Sequence, residues 1–323
     1  MNLIKLRMSI LGTLTLLIAV STLCFAIILA FVGITDLASL AVMVVGFNLL
    51  QWLFAPYMIN AMYRVREISE PDDTGLRSMV ARLSDRIGLR MPKVMIADIP
   101  IPNAFAYGSP IAGSRVAVTT GLLKELEDEE VEAVLGHELG HLKNRDVQVM
   151  MFASVLPAIF YFIGYSMMMS AYYGGRRERE GGGAAPMLIG MVSMAIYYVL
   201  TLLVLGLSRL REYYADQRSI SIVEDGARKL SEALAKIVSS SSRMKLQGRA
   251  AGNLNSFKAL FIEDPDSAVR DEVALRNTRM FRTDQQLVQE VLSRKVTAAD
   301  RFIELLSTHP NIVKRLQAIL KSA

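Results

Sequence analysis

Cysteine is nearly absent from this chain, with one residue, Cys24, in 323 positions. A single thiol cannot form an intrachain disulfide, and it rules out every zinc site that is built from clustered cysteines. Histidine is almost as scarce, with three residues in the sequence. A basic stripe is missing as well, because lysine and arginine alternate with acids after Arg64 and the net charge is only +5. These absences exclude a disulfide scaffold and predict no nucleic-acid partner.

Charge is also missing from four long stretches of the chain. Apolar residues make up 52% of the sequence although 21% of its residues are charged, so the two kinds are segregated. Each stretch is longer than the roughly 20 apolar residues that a helix needs to cross a bilayer core. The sequence therefore predicts four transmembrane helices, at Met8–Val32, Leu37–Tyr63, Val147–Tyr173 and Met187–Ser208.

Two alternative interpretations apply to these stretches. Any of them could be a buried helix of a soluble core, although runs of this length are rare in soluble domains. The first could be a cleaved signal peptide, because Lys5 and Arg7 precede it. Its apolar part exceeds the about 7–15 residues of a signal peptide, and no small-x-small cleavage site closes it. We therefore interpret the first stretch as a membrane anchor.

The distribution of basic residues predicts the orientation in the membrane. Lys5 and Arg7 precede the first stretch, Arg64 and Arg66 follow the second, and the turn between them carries only an acid, Asp36. By the positive-inside rule, the N-terminus and the region after Arg64 are cytoplasmic. The loop between the third and fourth stretches is then external, although it carries three arginines.

This arrangement predicts four segments along the chain. Residues 1–63 and 147–208 each form a pair of transmembrane helices, and the second pair is joined by a short external loop. Residues 64–146 and 209–323 are polar and lie on the same side of the membrane, where they form the two parts of one domain.

Local patterns predict the elements of the two polar regions. Helices are expected at Thr74–Leu89, from an N-cap at Asp128, at Ala298–Leu306 and at Asn311–Leu320. Strands are expected at Lys93–Ala97, Asn103–Tyr107 and Arg115–Thr119, and a loop at Ser239–Ser242.

The helix that follows Asp128 carries the residues with the clearest chemistry. His137 and His141 stand at i and i+4, so both imidazoles lie on one face and can bind one ion. Glu138 is next to the first histidine, where it can serve as a general base. Zinc suits this set because it lowers the pKa of a bound water and polarises a carbonyl group. The sequence predicts one zinc ion per chain, the alternative being two surface histidines on an ordinary helix.

A catalytic zinc normally has three protein ligands, so a third must come from elsewhere in the chain. Glu212 and Asp216 stand one turn apart on one helical face. Glu212 can bind the metal, while Asp216 can hold the outer ring nitrogen of a ligand histidine. Read alone, such a pair is usually a solvated face, and Asp146 and Glu224 stay open as other candidates for the third ligand.

The predicted topology agrees with a single metal site. Two membrane spans separate the histidine pair from Glu212, so all three ligands fall on the cytoplasmic side. His141 lies about eight residues before Val149 in the apolar run, or roughly 12 Å at the helical rise. A site this close to the membrane surface favours membrane proteins or juxtamembrane segments as substrates.

Five short motifs together resemble one family. They occur in the order of that family and span most of the chain, which is thereby similar to the HtpX-type membrane zinc metalloproteases, relatives of the CAAX prenyl endopeptidases. The motifs are Asn103–Ala106, Val118–Leu123, His137–His141, Arg211–Asp216 and Thr308–Pro310.

The resemblance implies a fold and further site residues. The expected fold is an α-helical membrane protein with four transmembrane helices and an α+β gluzincin-like cytoplasmic protease domain. Asn103, Ala104, Phe105 and Ala106 would form the edge strand on which the substrate backbone lies. His309 would donate a hydrogen bond to the oxyanion in the transition state. A purely structural role for His309 stays open.

The leading hypothesis for function is an endopeptidase that performs quality control of membrane proteins. Its partners would be membrane-protein or polypeptide substrates and the lipid bilayer, in the cytoplasmic membrane of a prokaryote. One alternative is a prenyl-type protease that processes C-termini, which needs a lipid-sized chamber. Another is a membrane adaptor with a silent metal site, although the presence of Glu138 argues against a silenced site.

Overall fold

The computed structural model describes residues 37–68, 75–174, 184–246 and 283–322. Two compact units make up the chain: one contains the described parts of Leu53–Val147 and Arg209–Ala323, the other residues 37–52 and Gln148–Ser208. In chain order the elements are α1 (Leu37–Tyr63), β1 (Val65–Glu67), α2 (Leu76–Ile87), β2 (Lys93–Ala97), β3 (Ala104–Ser109), β4 (Gly113–Thr119), α3 (Thr120–Glu125), α4 (Asp128–Lys143), α5 (Asp146–Gly174), α6 (Ala184–Ile222), α7 (Gly226–Leu246), α8 (Asp284–Leu292), α9 (Ala298–Leu305) and α10 (Ile312–Leu320).

The four strands form one mixed sheet in the order β1-β2-β4-β3. Strands β2 and β4 are parallel, whereas β1 and β3 each pair antiparallel with their single neighbour. Strand β3 pairs with β4 in a register that sets Ala104 opposite Val118 and Ser109 opposite Gly113. One side of β3 is therefore the edge of the sheet.

The sheet is buried on both faces. Because side chains alternate along a strand, neighbouring residues of β2 and β4 enter different cores. Val94 and Val116 belong to the larger core, which includes residues of α2, α4, α7, α8 and α10. Met95 and Ala117 belong to a smaller core that is closed by aromatic and aliphatic residues of α1 and β3, namely Ile59, Tyr63, Phe105 and Tyr107.

Most predicted elements of the polar regions are present, with three differences. The N-cap of α4 is Glu127 rather than Asp128, and the Glu130 carboxylate accepts a hydrogen bond from the Glu127 N–H at 2.9 Å. Strand β1 was not predicted, since three residues are too few to show an alternating pattern. The predicted loop at Ser239–Ser242 is wrong, because these serines continue helix α7.

The helical conformation of the serine run follows from its neighbours. Leu234, Ile237 and Val238 are buried in the larger core, and they fix the helix against α4 and α10. Ser240 is itself buried, at 6% exposure. Burial of this apolar face outweighs the modest helix propensity of serine.

Helices α5 and α6 are long and apolar enough to cross a membrane. The candidate spans are Asp146–Tyr172 and Ala185–Ile222, with mean hydropathy of 1.9 and 2.3 in their most apolar windows. Only 33% and 17% of these windows are buried within the protein, the opposite of what a soluble core helix shows. Of the other two predicted spans, Leu37–Tyr63 coincides with helix α1, and Met8–Val32 lies outside the described residues.

Helices α5 and α6 approach each other closely at a glycine. A Cβ atom added at Gly190 would lie 2.7 Å from the Cγ atom of Met168 and 3.1 Å from the carbonyl oxygen of Gly164. Small residues at a helix crossing are typical of helices that pack within a membrane.

Candidate metal centre

Helix α4 carries the histidine pair, and its glycines let α6 come close to it. A Cβ atom at Gly140 would lie 3.3 Å from the Cα atom of Ala215. The Ser219 hydroxyl of α6 donates a hydrogen bond of 2.6 Å to the Ala133 carbonyl of α4. The glycine between the histidines therefore has a packing role, since it brings the helix that carries Glu212 against the pair.

The structure brings His137, His141 and Glu212 together as one candidate metal site. One ligand atom from each residue lies within 4.8 Å of the others. The two Nε2 atoms are 3.1 Å apart, and each lies 3.4 Å from an oxygen of Glu212. The imidazole rings are nearly perpendicular, at 89°. His137 and Glu212 are buried, so the site is enclosed by protein.

The chemistry of this cluster fits a metal ion. The Oε1 atom of Glu212 lies 3.4 Å from Nε2 of His141, and its Oε2 atom lies 3.4 Å from Nε2 of His137 and 3.6 Å from the guanidinium group of Arg315. A buried carboxylate is costly unless cations or donors face it, and here its oxygens converge with two ring nitrogens. The outer Nδ1 atoms of both histidines are occupied by carboxylates, so their Nε2 atoms can act as ligands. Two imidazoles and one carboxylate form the ligand set of many catalytic zinc sites.

Asp216 and Arg315 hold His137 from behind. The Nδ1 atom of His137 lies 2.9 Å from Asp216. The Asp216 carboxylate in turn accepts two hydrogen bonds of 2.7 Å from the guanidinium group of Arg315. Asp216 and Arg315 are fully or almost fully buried, at 1% and 0% exposure. We call these three residues the His137 relay.

A similar arrangement holds His141. Its Nδ1 atom lies 2.6 Å from Asp146, which forms an ion pair of 3.2 Å with Arg211. The side chains of His141 and Arg211 are each 12% exposed, so this group lies nearer to the solvent. We call these three residues the His141 relay.

The His137 relay changes the protonation of the histidine. Burial and the charge of Arg315 lower the pKa of His137, whereas its hydrogen bonds with Asp216 and Glu212 raise it. The carboxylates prevail, and the pKa is raised to about 9. Without a metal, His137 is therefore protonated at neutral pH, and metal binding must displace that proton.

Glu138 is buried at a position next to both the candidate metal ligands and the sheet. Burial raises the pKa of its carboxyl group, and the neighbouring His137 and His141 oppose that shift. A hydrogen bond from the backbone N–H of Ala106, in edge strand β3, also lowers the pKa. The carboxylate is thus within reach of both the candidate metal ligands and the strand.

The predicted substrate-binding residues lie at the start of this edge strand. Asn103 precedes β3, and its carbonyl accepts a hydrogen bond of 2.9 Å from Thr119 N–H in β4. Successive residues of a strand direct their backbone groups to opposite sides, so Phe105 also faces β4. Ala104 and Ala106 then direct their backbone groups to the free edge.

His309 is brought to the same site from the C-terminal part of the chain. It is 7% exposed, and its Nε2 atom lies 3.9 Å from the Glu212 carboxylate. Its Nδ1 atom lies 3.0 Å from the Thr308 hydroxyl, which fixes the direction of the ring. All ten residues that the sequence singled out for the site therefore lie in one unit of the chain.

The sequence alone did not predict the roles of three residues of the site. Asp146 appeared there only as a possible metal ligand, whereas it holds the outer nitrogen of His141. The position of Arg211 next to Glu212 in the sequence could have indicated that Arg211 belongs to the site. For Arg315 the sequence contains no such signal, because its partner Asp216 is 99 positions away.

Comparisons with known proteins agree with this site. The family model described as Peptidase family M48 matches residues 70–323. A relative named Protease HtpX homolog, from Thermoplasma acidophilum, is 36% identical over 334 aligned positions, which cover 99% of each chain. Another of that name, from Saccharolobus islandicus, is 41% identical over 297 positions, or 90% of this chain and 87% of the relative.

A solved structure has a similar fold. Ste24p of S. mikatae superposes with a TM-score of 0.55 over 98% of this chain and 67% of that chain. The identity is 16%, so this likeness concerns the fold alone. The sequence matches confirm the resemblance that the motifs indicated and the prediction of a metalloprotease. The chain belongs to peptidase family M48 and is a membrane metalloprotease of the HtpX type.

Proposed function

We propose that this chain is a zinc endopeptidase of a prokaryotic cytoplasmic membrane. It cleaves membrane proteins at cytoplasmic segments close to the bilayer, as part of protein quality control. The observation that carries the proposal is the position of Glu138, which lies beside the ligand cluster and receives a hydrogen bond from edge strand β3. A general base that lies between a metal and a strand edge suits hydrolysis of an extended peptide.

The protein groups have separate roles in this reaction. His137, His141 and Glu212 would hold one zinc ion, which supplies Lewis acidity and makes water more acidic. The Glu138 carboxylate accepts a proton from the attacking water and returns it to the nitrogen of the leaving amine. Burial raises the pKa of Glu138 towards neutrality, which helps one group both to accept and to return the proton. His309 donates a hydrogen bond to the oxyanion that develops on the carbonyl.

The substrate binds as an additional strand beside β3. Ala104 offers its backbone N–H and carbonyl groups at the free edge and Ala106 its carbonyl group, since the Ala106 N–H is bonded to Glu138, and an extended peptide can pair with them. A helical membrane segment cannot pair in this way, because its backbone groups are already bonded within the helix. Substrates therefore present loops, tails or unwound segments, and destabilised membrane proteins are cleaved faster.

The site lies near the membrane because its residues adjoin the apolar runs. Asp146 is the first residue of α5, and Glu212 follows the end of the run Met187–Ser208 by four positions. With four spans and the orientation given by the basic flanks, the N-terminus and the site are on the cytoplasmic side.

The direct test of the reaction compares Glu138→Gln with wild-type protein in reconstituted membranes. Turnover should fall at least about a hundredfold, because the amide cannot accept the proton. Zinc content should be unchanged. The matched control is Glu132→Gln on the same helix, which forms an ion pair of 3.6 Å with the exposed Arg82 and should retain activity. Near-normal turnover in Glu138→Gln would remove Glu138 from its role and support a silent metal site.

The location of the cuts tests the substrate class. The termini produced from a multispanning model protein should map to its cytoplasmic loops and tails, close to the bilayer. Cuts in external loops would overturn the proposed orientation. Cuts confined to the last residues of prenylated substrates would favour C-terminal processing instead.

A further inference from the structure

Helix α9 exposes an apolar stripe. Phe302, Leu305 and Leu306 are 64%, 53% and 58% exposed. They stand at i, i+3 and i+4, so the three side chains lie on one face of the helix. No residue of α9 is fully buried within the described structure. Single exposed apolar residues are ordinary, but three on one face of a two-turn helix indicate a surface that binds a partner.

Local interactions stabilise α9 without help from that face. The backbone N–H of Thr297 donates to the Asp300 carboxylate at 2.8 Å, and the Asp300 N–H donates to the Thr297 hydroxyl at 3.2 Å. This reciprocal pair is a capping box, which satisfies two backbone N–H groups at the start of the helix. The apolar stripe is therefore available for another partner.

The exposed charged residues of α9 and of the segment just before it are basic. Asp300 is engaged in the capping box, and Glu304 forms an ion pair with Lys314. Lys295 and Arg301 are exposed. Exposed cations beside a Phe and Leu face are typical of helices that lie in the interface of an anionic membrane.

One side chain links α9 to the end of an apolar run. The guanidinium group of Arg209 donates hydrogen bonds to the carbonyls of Glu304 at 2.7 Å, Leu305 at 3.2 Å and Ser307 at 2.7 Å. Arg209 is the first residue after Met187–Ser208, the apolar run of candidate span α6. The carboxyl end of α9 is thus bonded to the point at which α6 leaves its apolar sequence.

We propose that α9 is a membrane-contact helix, whose apolar stripe enters the headgroup boundary of an anionic lipid bilayer. Three observations converge: the stripe is exposed within the described residues, the exposed charged residues Lys295 and Arg301 are basic, and Arg209, the first residue after an apolar run, holds the carboxyl end of the helix. The proposal rests on the membrane location in the proposed function and is independent of the protease chemistry.

Fluorescence in vesicles tests this contact. Trp52 is the only tryptophan in the chain, so a Trp52→Phe background leaves a single probe when Phe302 is changed to Trp. The full-length protein is reconstituted in phosphatidylcholine vesicles with phosphatidylglycerol, with and without acyl chains brominated near the glycerol. Phe302→Trp should emit at a shorter wavelength and lose most of its emission in brominated vesicles.

A matched probe and a charge variant make the test specific. Gln289→Trp, at an exposed position of α8, should keep its emission in the same vesicles. Removing the basic charge with Arg301→Gln should weaken the quenching of the Phe302→Trp probe when phosphatidylglycerol is present. Unquenched Phe302→Trp emission would overturn the proposal, including the case in which a second copy covers the stripe. Cleavage by wild-type protein in these vesicles is measured separately, so failure of this contact leaves the proposed function standing.

Discussion

The His137 relay and the His141 relay follow the same plan in different surroundings. In each, a carboxylate holds the outer nitrogen of a histidine and an arginine holds the carboxylate. Arg315 makes two short hydrogen bonds to Asp216 in full burial, whereas Arg211 makes one ion pair to Asp146 and is partly exposed.

The comparison shows which of the two groups is enclosed and which adjoins the apolar runs in the sequence. The His137 relay is enclosed in protein. An unpaired charge there costs much free energy of folding, so the loss of one member of the relay destabilises the structure around the others. The His141 relay uses residues next to the apolar runs, since Asp146 begins α5 and Arg211 follows the run of α6 by three positions. One relay therefore encloses His137, and the other adjoins the candidate spans in the sequence.

The largest expected effect is that of Arg315→Met. This change leaves the Asp216 carboxylate buried without its cation, and breaking a buried pair costs about 3–5 kcal/mol. The variant should lose zinc and unfold at lower temperature in detergent. Arg211→Met is the control, because it removes the corresponding arginine of the other relay. Normal zinc content and stability in Arg315→Met would show that the two relays do not differ as described.

The second-largest effects on zinc binding are expected for two carboxylate variants, Asp216→Asn and Asp146→Asn. Asp216→Asn should weaken zinc affinity by roughly 10–100-fold, because the amide orients and polarises His137 less well. Asp146→Asn should lie at the lower end of that range, since its relay is nearer to solvent. Both affinities follow from competition with a chelating dye. A larger loss in Asp146→Asn than in Asp216→Asn would reverse the ranking.

The pH dependence of zinc binding sharpens the same comparison. The pKa of metal-free His137 is raised to about 9, so below that pH a proton competes with the metal. Affinity should therefore fall by about tenfold for each pH unit from 9 down to 7. In Asp216→Asn the dependence should be weaker, because a carboxylate that raises the pKa of His137 is gone. Titrations at several pH values that gave the same slope for both proteins would contradict this assignment.

The smallest effect is expected for Arg211→Met. A single, partly exposed ion pair contributes at most about 1 kcal/mol, or about fivefold in affinity. Zinc affinity should change within that limit, and Asp146 should still hold His141. A loss comparable with that of Arg315→Met would show that the His141 relay is as tightly coupled as the other.

The parts of the site that lie close together in sequence were predictable. His137, Glu138 and His141 follow from a spacing on one helix, and Glu212 follows from the need for a third ligand on the same side of the membrane. Asp216 could be predicted because it stands four positions after Glu212 on the same helical face. Arg315 was not predictable from the residues alone, because its contact with Asp216 depends on how α10 packs against the rest of the unit.

The fold was predictable to a similar degree. Long uncharged runs identified α5 and α6, and alternation identified β2, β3 and β4. The serines at Ser239–Ser242 were assigned wrongly because their propensity was judged without the core that buries Ile237 and Val238. Tertiary burial overrides local preference wherever an apolar face is already anchored.

Zinc content tests most directly whether His137, His141 and Glu212 hold one metal ion while Glu138 acts only in proton transfer. The measurement is the molar ratio of zinc to purified protein, by elemental analysis, in wild type, Glu138→Gln and Glu212→Ala. Wild type and Glu138→Gln should contain about one zinc ion per chain, and Glu212→Ala close to none, because two histidines alone hold zinc weakly. A full equivalent of zinc in Glu212→Ala would contradict this set of ligands.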